Sequence, residues 1–230
     1  RELPNSKILP FLSNRNYVIT VTGSKTENFL IEQGFPKNKI EVISSYVEVD
    51  KFKPNETTKE FDLIFIGSLN KNKRVNLIID AFSKLDEKSR MVIVGNGNLR
   101  ESYIDYANKM GVLDRVFFAG YRKNVQDFLH NSKVLVLASK SEGLPQCVME
   151  AMSCGLPCVV PKINDITDLV INNTNSLYFD SSNIIELSLA IEKLLSDETF
   201  YLHISKNARK SILANFSIDA GTKKWNNLLQ

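Results

Sequence analysis

No apolar run in the sequence approaches the about 20 residues needed to cross a membrane, so a spanning helix is excluded. Charge of one sign is also missing: 29 basic and 26 acidic residues are interspersed and leave a net charge of +3, which argues against an extended nucleic-acid surface. Cysteine is scarce. Cys147, Cys154 and Cys158 lack the paired C-x-x-C spacing of a zinc site, and their apolar flanks point to packing in a reducing compartment. The two histidines, His130 and His203, have no acidic or nucleophilic neighbour at useful spacing and read as structural. No Gly-x-Ser-x-Gly elbow, Walker loop or HExxH is present, which removes the common hydrolase, P-loop and zincin chemistries.

What is there is an ordinary globular composition, 43% hydrophobic and 24% charged, with a regular alternation of strand and helix patterns. Residues 17–22 read as a strand, followed by Ser24 and Glu27 in a capping-box spacing that opens a helix ending at Gly34. A second strand spans 39–43. The polar stretch from Ser44 to Thr58, with Pro54 inside it, reads as a linker, so a domain boundary is expected near residue 55. From Phe61 the pattern becomes strand 62–66, helix 74–85, strand 91–94, helix 99–110, strand 115–119, a short helix near 125–129, strand 134–138, a further helix, and strand 156–160. The remainder, from about Ile184, is helical. Such a βα series predicts an α/β, Rossmann-like parallel sheet with helices on both faces and ligands at the strands' carboxyl ends.

Everything chemical centres on Ser141-Glu-Gly-Leu-Pro-Gln-Cys-Val-Met-Glu150, which follows an apolar strand and opens a helix. Glu142 then falls in the loop at the strand's end, beside helix N-terminal N–H groups that suit an anionic diphosphate, and Gly143 allows close backbone approach. Glu150 lies further into the helix among Val148, Met149, Ala151 and Met152, apolar on nearly every face. A carboxylate there needs either a basic partner from the core or ligand hydroxyls.

The Glu-x7-Glu arrangement and its flanks, Glu142-Gly-Leu144-Pro and Glu150-Ala-Met-Ser-Cys-Gly-Leu-Pro, resemble the signature of retaining family 4 glycosyltransferases of GT-B fold. The resemblance implies that Glu142 meets hydroxyls of a donor sugar and Glu150 the ribose of its nucleotide. It runs from about residue 16 to the end. It therefore implies three parts: residues 1–55 as the last portion of an acceptor domain plus linker, 56–216 as the nucleotide-sugar domain, and 217–230 as a helix crossing back. Arg1 at the start fits a piece of something longer.

Other loops at the same rim add to the site. Gly67-Ser68-Leu-Asn-Lys71-Asn-Lys73-Arg74 is a glycine turn followed by cations; a bound phosphate is a good reason for a cation at a helix start, and a solvated basic loop is the alternative. The related enzymes commonly carry Arg at the position of Ser68 and Lys at that of Lys73, so Lys71, Arg74 or Lys140 is needed to replace the lost charge. Gly95-Asn-Gly97 lacks the third glycine and the acidic residue of a dinucleotide fingerprint; by resemblance it is a tight turn near the donor. Gly120-Tyr121-Arg122 matches the segment that holds the base, with either side chain able to stack on it or to lie free on the surface.

Lys73 and Glu142 are thus the expected catalytic residues. The donor-binding set is Gly67, Ser68, Lys73, Arg74, Gly95, Gly97, Tyr121, Arg122, Glu142, Gly143, Leu144 and Glu150. The expected reaction moves a sugar from a nucleoside-diphosphate sugar to an acceptor glycan or lipid-linked sugar, with retention of configuration and no separate cofactor. The lack of an Asp-x-Asp motif speaks against the metal-held diphosphate of the other main glycosyltransferase fold. Nucleic acid is not an expected partner. Location is expected to be cytoplasmic, and Lys206 to Lys210 gives either a contact with an anionic membrane surface or a solvated helix face. By this reading the present chain alone is inactive. A non-catalytic nucleotide-sugar-binding module and a GT-B epimerase stay open as alternatives; a phosphorylase would need a pyridoxal lysine, and an NAD oxidoreductase an intact fingerprint.

Overall fold

The computed structural model describes residues 17–229. Two parallel sheets share them. The smaller pairs β1 (Ile19–Val21) with β2 (Ile40–Val42), joined by α1 (Ser24–Glu32), around a cluster of Val21, Leu30, Phe35 and Ile40. The larger contains β3 (Phe61–Ile66), β4 (Met91–Val94), β5 (Val116–Gly120), β6 (Ser132–Val136), β7 (Cys158–Pro161) and β8 (Leu177–Phe179), in the order β5-β4-β3-β6-β7-β8 and parallel throughout. Its crossovers are α2 (Val75–Phe82), α3 (Arg100–Lys109), α4 (Val125–His130), α5 (Gln146–Ser153) and the short α6 (Ile166–Leu169). Helices α7 (Ile184–Ser196), α8 (Glu198–Asn215) and α9 (Ile218–Leu229) complete the chain.

The strands form where continuous apolar runs are buried on both faces: Leu63, Ile64, Phe65 and all four residues of β4 are shielded from solvent. Strand order reverses between β3 and β6, because the chain leaves β3 toward β4 and β5, and leaves β6 toward β7 and β8. That reversal opens a crevice at the carboxyl ends of β3 and β6. The Rossmann-like α/β reading of the sequence is therefore the observed fold; the pair α6 and β8 was not anticipated, being too short to show a period.

Two local expectations are corrected. The Ser24–Glu27 spacing is not a capping box: Gly23 is the N-cap without a side-chain bond, and the Ser24 hydroxyl donates to Asp168 instead. Gly34 does end the helix turn, at φ 89, a left-handed conformation in which a side chain would be strained. The stretch read as a linker is only partly one, since Val47 and Phe52 are buried in the large core. Arg209 pins this stretch by donating to the carbonyls of Val49 and Phe52, and to Ser153 on α5. The change of core thus falls between Val42 and Val47, ahead of residue 55.

At that crossing Val47 bridges Ser217, its N–H donating to the Phe216 carbonyl, so the outgoing and returning chains lie side by side. Gly221 on α9 is buried against the Tyr46 ring, where a Cβ would stand 2.4 Å from ring carbons. The ring fits, but its hydroxyl is buried without a hydrogen-bond partner among the described residues. Burial accordingly pushes the Tyr46 pKa up. Tyr46→Phe removes an unsatisfied group and keeps the ring, so it is expected to stabilise the chain by up to about 1 kcal/mol. Thermal melting checks this; a clear fall in Tm would mean that the hydroxyl is bonded in solution.

Candidate functional site

The loop after β3 is shaped by its own side chains. Asn70 accepts from the N–H groups of Asn72 and Lys73, folding the loop into a turn, and the Tyr103 hydroxyl donates to the Asn70 carbonyl from α3. Asn72 then joins this loop to the one after β6. Its amide donates to the Ser141 carbonyl at 3.0 Å, its side-chain oxygen accepts from Ser141 N–H at 3.2 Å, and its own carbonyl accepts from Lys140 N–H at 2.8 Å. Because β3 and β6 are neighbours, the two loops lie edge to edge. The result is a direct ion pair: Lys73 Nζ stands 2.5 Å from Glu142 Oε1, with the side chains only 18% and 13% exposed.

Arg74 is placed differently from expectation. It adopts φ 46, and its guanidinium donates to the carbonyls of Ala138, Ser139 and Ser181. Those bonds offset the cost of a left-handed non-glycine residue and tie the start of α2 to the end of β6. As a donor-binding cation Arg74 is therefore corrected to a framework residue. Lys71 and Lys140 are both exposed residues of the two loops. Lys73 retains further ammonium hydrogens beyond the one given to Glu142. In the loop that carries Glu142, the N–H groups of Glu142, Gly143 and Leu144 have no acceptor among the described residues, which leaves donors available to an anion.

Glu150 occupies the next position of interest on α5. Its helix buries Val148, Met149, Ala151 and Met152 on the inner face, while Glu150 is half-buried beside Gln146 one turn earlier. The expected all-round apolar shell is thus corrected: the carboxylate has a polar edge, receiving a hydrogen bond from Gln146 and the attraction of Lys51. Burial nevertheless dominates and raises its pKa. Cys147, on the same first turn, feels Lys73, Glu142 and Glu150 together, and burial pushes its thiol up to about 12.

Among the described residues, one cavity is lined by the start of the Lys73 loop and another by Glu142 itself. One, of about 370 Å³, is lined by Gly67, Ser68, Gly95, Asn96, Tyr121 and Arg122 among others. Tyr121 is 70% exposed at its mouth, with Arg122 beside it. The other, of about 360 Å³, lies between the small and large units, with Glu142 and Gly143 facing Thr22 and Phe29. Gly95 and Gly97 act chiefly as spacers. A Cβ on Gly95 would stand 1.9 Å from the Gly67 carbonyl oxygen, and one on Gly97 2.4 Å from that of Leu69, so the loop after β4 rests directly on the loop after β3. Gly95 still reaches the first cavity; Gly97 packs beneath Leu69 instead. Leu144 is half-buried against the core.

Sequence reasoning missed Asn72, Asn164, Asp165 and Asp168. Asn164 donates to the Ser141 hydroxyl at 2.8 Å and so braces the Glu142 loop from the other side. Its φ of 41 belongs to an Asn-Asp turn after β7, a signal present in the sequence but attached there to no function.

Comparison with known proteins gives the site a context. Residues 47–211 match the family model described as glycosyl transferases group 1. Among curated relatives, the chain is 23% identical over 223 residues to N-acetyl-alpha-D-glucosaminyl L-malate synthase of Bacillus anthracis, covering 92% of this chain and 58% of that protein. It is 30% identical over 198 residues to the UDP-Gal:alpha-D-GlcNAc-diphosphoundecaprenol alpha-1,3-galactosyltransferase of Escherichia coli, covering 78% and 51%. The chain thus spans a little over half the length of these relatives. In structure it resembles Anabaena HepE, solved in complex with UDP, with a TM-score of 0.90 at 17% identity over 99% of this chain and 68% of that one.

Proposed function

This chain belongs to the group 1 glycosyl transferases, and from that premise we propose that it provides the donor half of an enzyme moving a sugar from a nucleoside diphosphate to an acceptor hydroxyl with retention of configuration. The observation that carries the reading is the Lys73–Glu142 pair at the crevice where strand order reverses. Bond cleavage at the sugar leaves negative charge on the diphosphate. Lys73 and the N–H groups of Glu142, Gly143 and Leu144 stabilise that charge as it develops, which favours the transition state over the ground state without a metal ion. Glu142, fixed by the Lys73 ammonium and by the Asn72 and Asn164 contacts to Ser141, orients the sugar hydroxyls. Glu150 accepts from the ribose, and the cleft beside Ser68, Tyr121 and Arg122 takes the base.

The acceptor class is a glycan or lipid-linked sugar, in keeping with the diphosphoundecaprenol substrate in the name of the Escherichia coli relative. We place the reaction in the cytoplasm, in the assembly of bacterial-type polysaccharides or glycoconjugates; three free thiols support a reducing setting. Among the described residues no helix is long and apolar enough to cross a membrane. Transfer by this chain alone is not expected.

Calorimetric titration with UDP, GDP, ADP and NAD tests the donor site, with Glu150→Ala and Glu150→Gln as controls. One nucleoside diphosphate is expected to bind, and both substitutions to weaken it by at least tenfold. In the nucleotide-free chain the same Glu150→Gln change has the opposite effect on stability. A carboxylate whose pKa is raised by folding lowers stability as pH rises from the unfolded pKa through the folded one, so the neutral amide is expected to raise Tm at about pH 7 and to be without effect below about pH 4. Binding that survives both substitutions removes Glu150 from the site. Nucleotide binding with no transfer by the full-length protein selects the non-catalytic binding module.

A further inference from the structure

The small unit touches the large one at the first turn of α1. Asp165, at the start of α6, is 3% exposed. Its Oδ1 accepts from the N–H groups of Lys25 at 2.8 Å and Thr26 at 3.1 Å, and its Oδ2 from the Thr26 hydroxyl at 2.6 Å. Asp168, one turn further, accepts from both the N–H and the hydroxyl of Ser24 at 2.5 Å. These carboxylates supply from another unit the cap that α1 lacks in its own sequence, and they place negative charge on the positive end of its dipole. Contact is close enough to need Gly23, where a Cβ would stand 2.4 Å from Asp165 side-chain carbons.

A surface cap would leave its carboxylate in water; Asp165 is instead desolvated with helix N–H groups as its partners, a cost met only while the two units are docked. Docking has a consequence at the site. It holds Thr22 and Phe29 across from Glu142, on the opposite side of the open cleft of about 360 Å³. We infer that Asp165 and Asp168 are positioning residues: they seat α1 on the large unit and so build the wall of the acceptor cavity that faces Glu142. The inference rests on the reading of Glu142 as the sugar-facing carboxylate.

Two readouts on the chain test it. The first is amide exchange. Asp165→Ala is expected to speed exchange at Lys25 and Thr26 by at least tenfold, and Asp168→Ala to do so at Ser24. The Ile43 N–H, bonded to the Val21 carbonyl within the small sheet, stays protected in both. Asp165→Asn, which keeps an oxygen for the two N–H groups, restores most of the protection. The second is crosslinking. A Cβ on Gly143 would lie 3.7 Å from Thr22 Oγ1, so a Thr22→Cys/Gly143→Cys pair is expected to form a disulfide readily and at least tenfold more slowly when Asp165→Ala is added. UDP affinity, set within the large unit, stays within twofold in the Asp165 variants. Unchanged exchange and crosslinking overturn the inference, and so does loss of protection at Ile43, which would make Asp165 a support of the small fold only. If the wild-type chain binds none of UDP, GDP and ADP, the donor reading and the acceptor role fall together, while exchange and crosslinking still decide the docking.

Discussion

Lys73→Ala in the complete enzyme is expected to lower turnover by roughly 10²–10³-fold, the loss typical of removing one preorganised donor to a developing negative charge. The structure supplies a competing explanation that the test must separate. Lys73 also neutralises Glu142, 2.5 Å away, so its removal strands a carboxylate that is only 13% exposed. A stranded carboxylate would reorient toward solvent or take up a proton, and either change would disturb the donor sugar without any role for Lys73 at the phosphate. Glu142→Gln removes that charge while keeping the shape. If Lys73 acts only by holding Glu142, the Lys73→Ala/Glu142→Gln double variant turns over as well as Glu142→Gln alone. If Lys73 stabilises the leaving diphosphate, the double variant falls by a further factor of at least ten. Steady-state turnover of the four proteins decides between them, with melting curves to verify that all are folded. Turnover unchanged by Lys73→Ala would end the leaving-group role outright.

The same pair marks the boundary of what the sequence reveals. Lys73 and Glu142 were each legible, one as a cation at a helix start and the other as a carboxylate at the end of an apolar strand. Their meeting was not, because it joins residues 69 apart in the chain and depends on β3 and β6 being neighbours, and no periodicity encodes strand order. The buried strands were legible because a parallel sheet covered on both faces needs continuous apolar runs. By contrast, β8 is three residues long and α6 four, too few for a period of either kind. Arg74 misled for a related reason: a guanidinium beside a basic loop looks the same in sequence whether it meets a phosphate or three carbonyls. Asp165 went unread because its partners lie 139 and 140 residues away, on a helix whose own Ser24 and Glu27 suggested a self-contained cap.

Gly95→Ala is expected to have the largest effect of any single methyl added to this chain. The new Cβ would lie 1.9 Å from the Gly67 carbonyl oxygen, far inside contact distance, and the position has φ 144, outside the usual range of side-chain-bearing residues. Neither partner is a flexible side chain that can swing away; both are backbone, held by Gly67 N–H to the Val94 carbonyl and by Gly95 N–H to that of Gly120. Relief therefore requires the loop after β3 to lift, which breaks ladder-end hydrogen bonds and displaces Ser68 and Lys73 together. Overpacking alone costs about 1–3 kcal/mol, and the bonds and backbone strain add to it. Gly120→Ala separates the two contributions: at φ 72 with nothing within 4 Å of its Cβ, it carries strain without collision, so about 1–2 kcal/mol is expected. Gly143→Ala, whose Cβ would meet only Thr22 Oγ1 at 3.7 Å, is expected to be close to neutral for stability. Thermal melts should rank the three variants Gly95, Gly120, Gly143 in falling severity, and nucleotide titration should show at least a tenfold loss for Gly95→Ala. A Gly95→Ala chain that melts with the wild type would show that the two loops do not rest on each other. The spacing that presents Lys73 to the crevice would then have to come from Asn70, Asn72 and Arg74 alone.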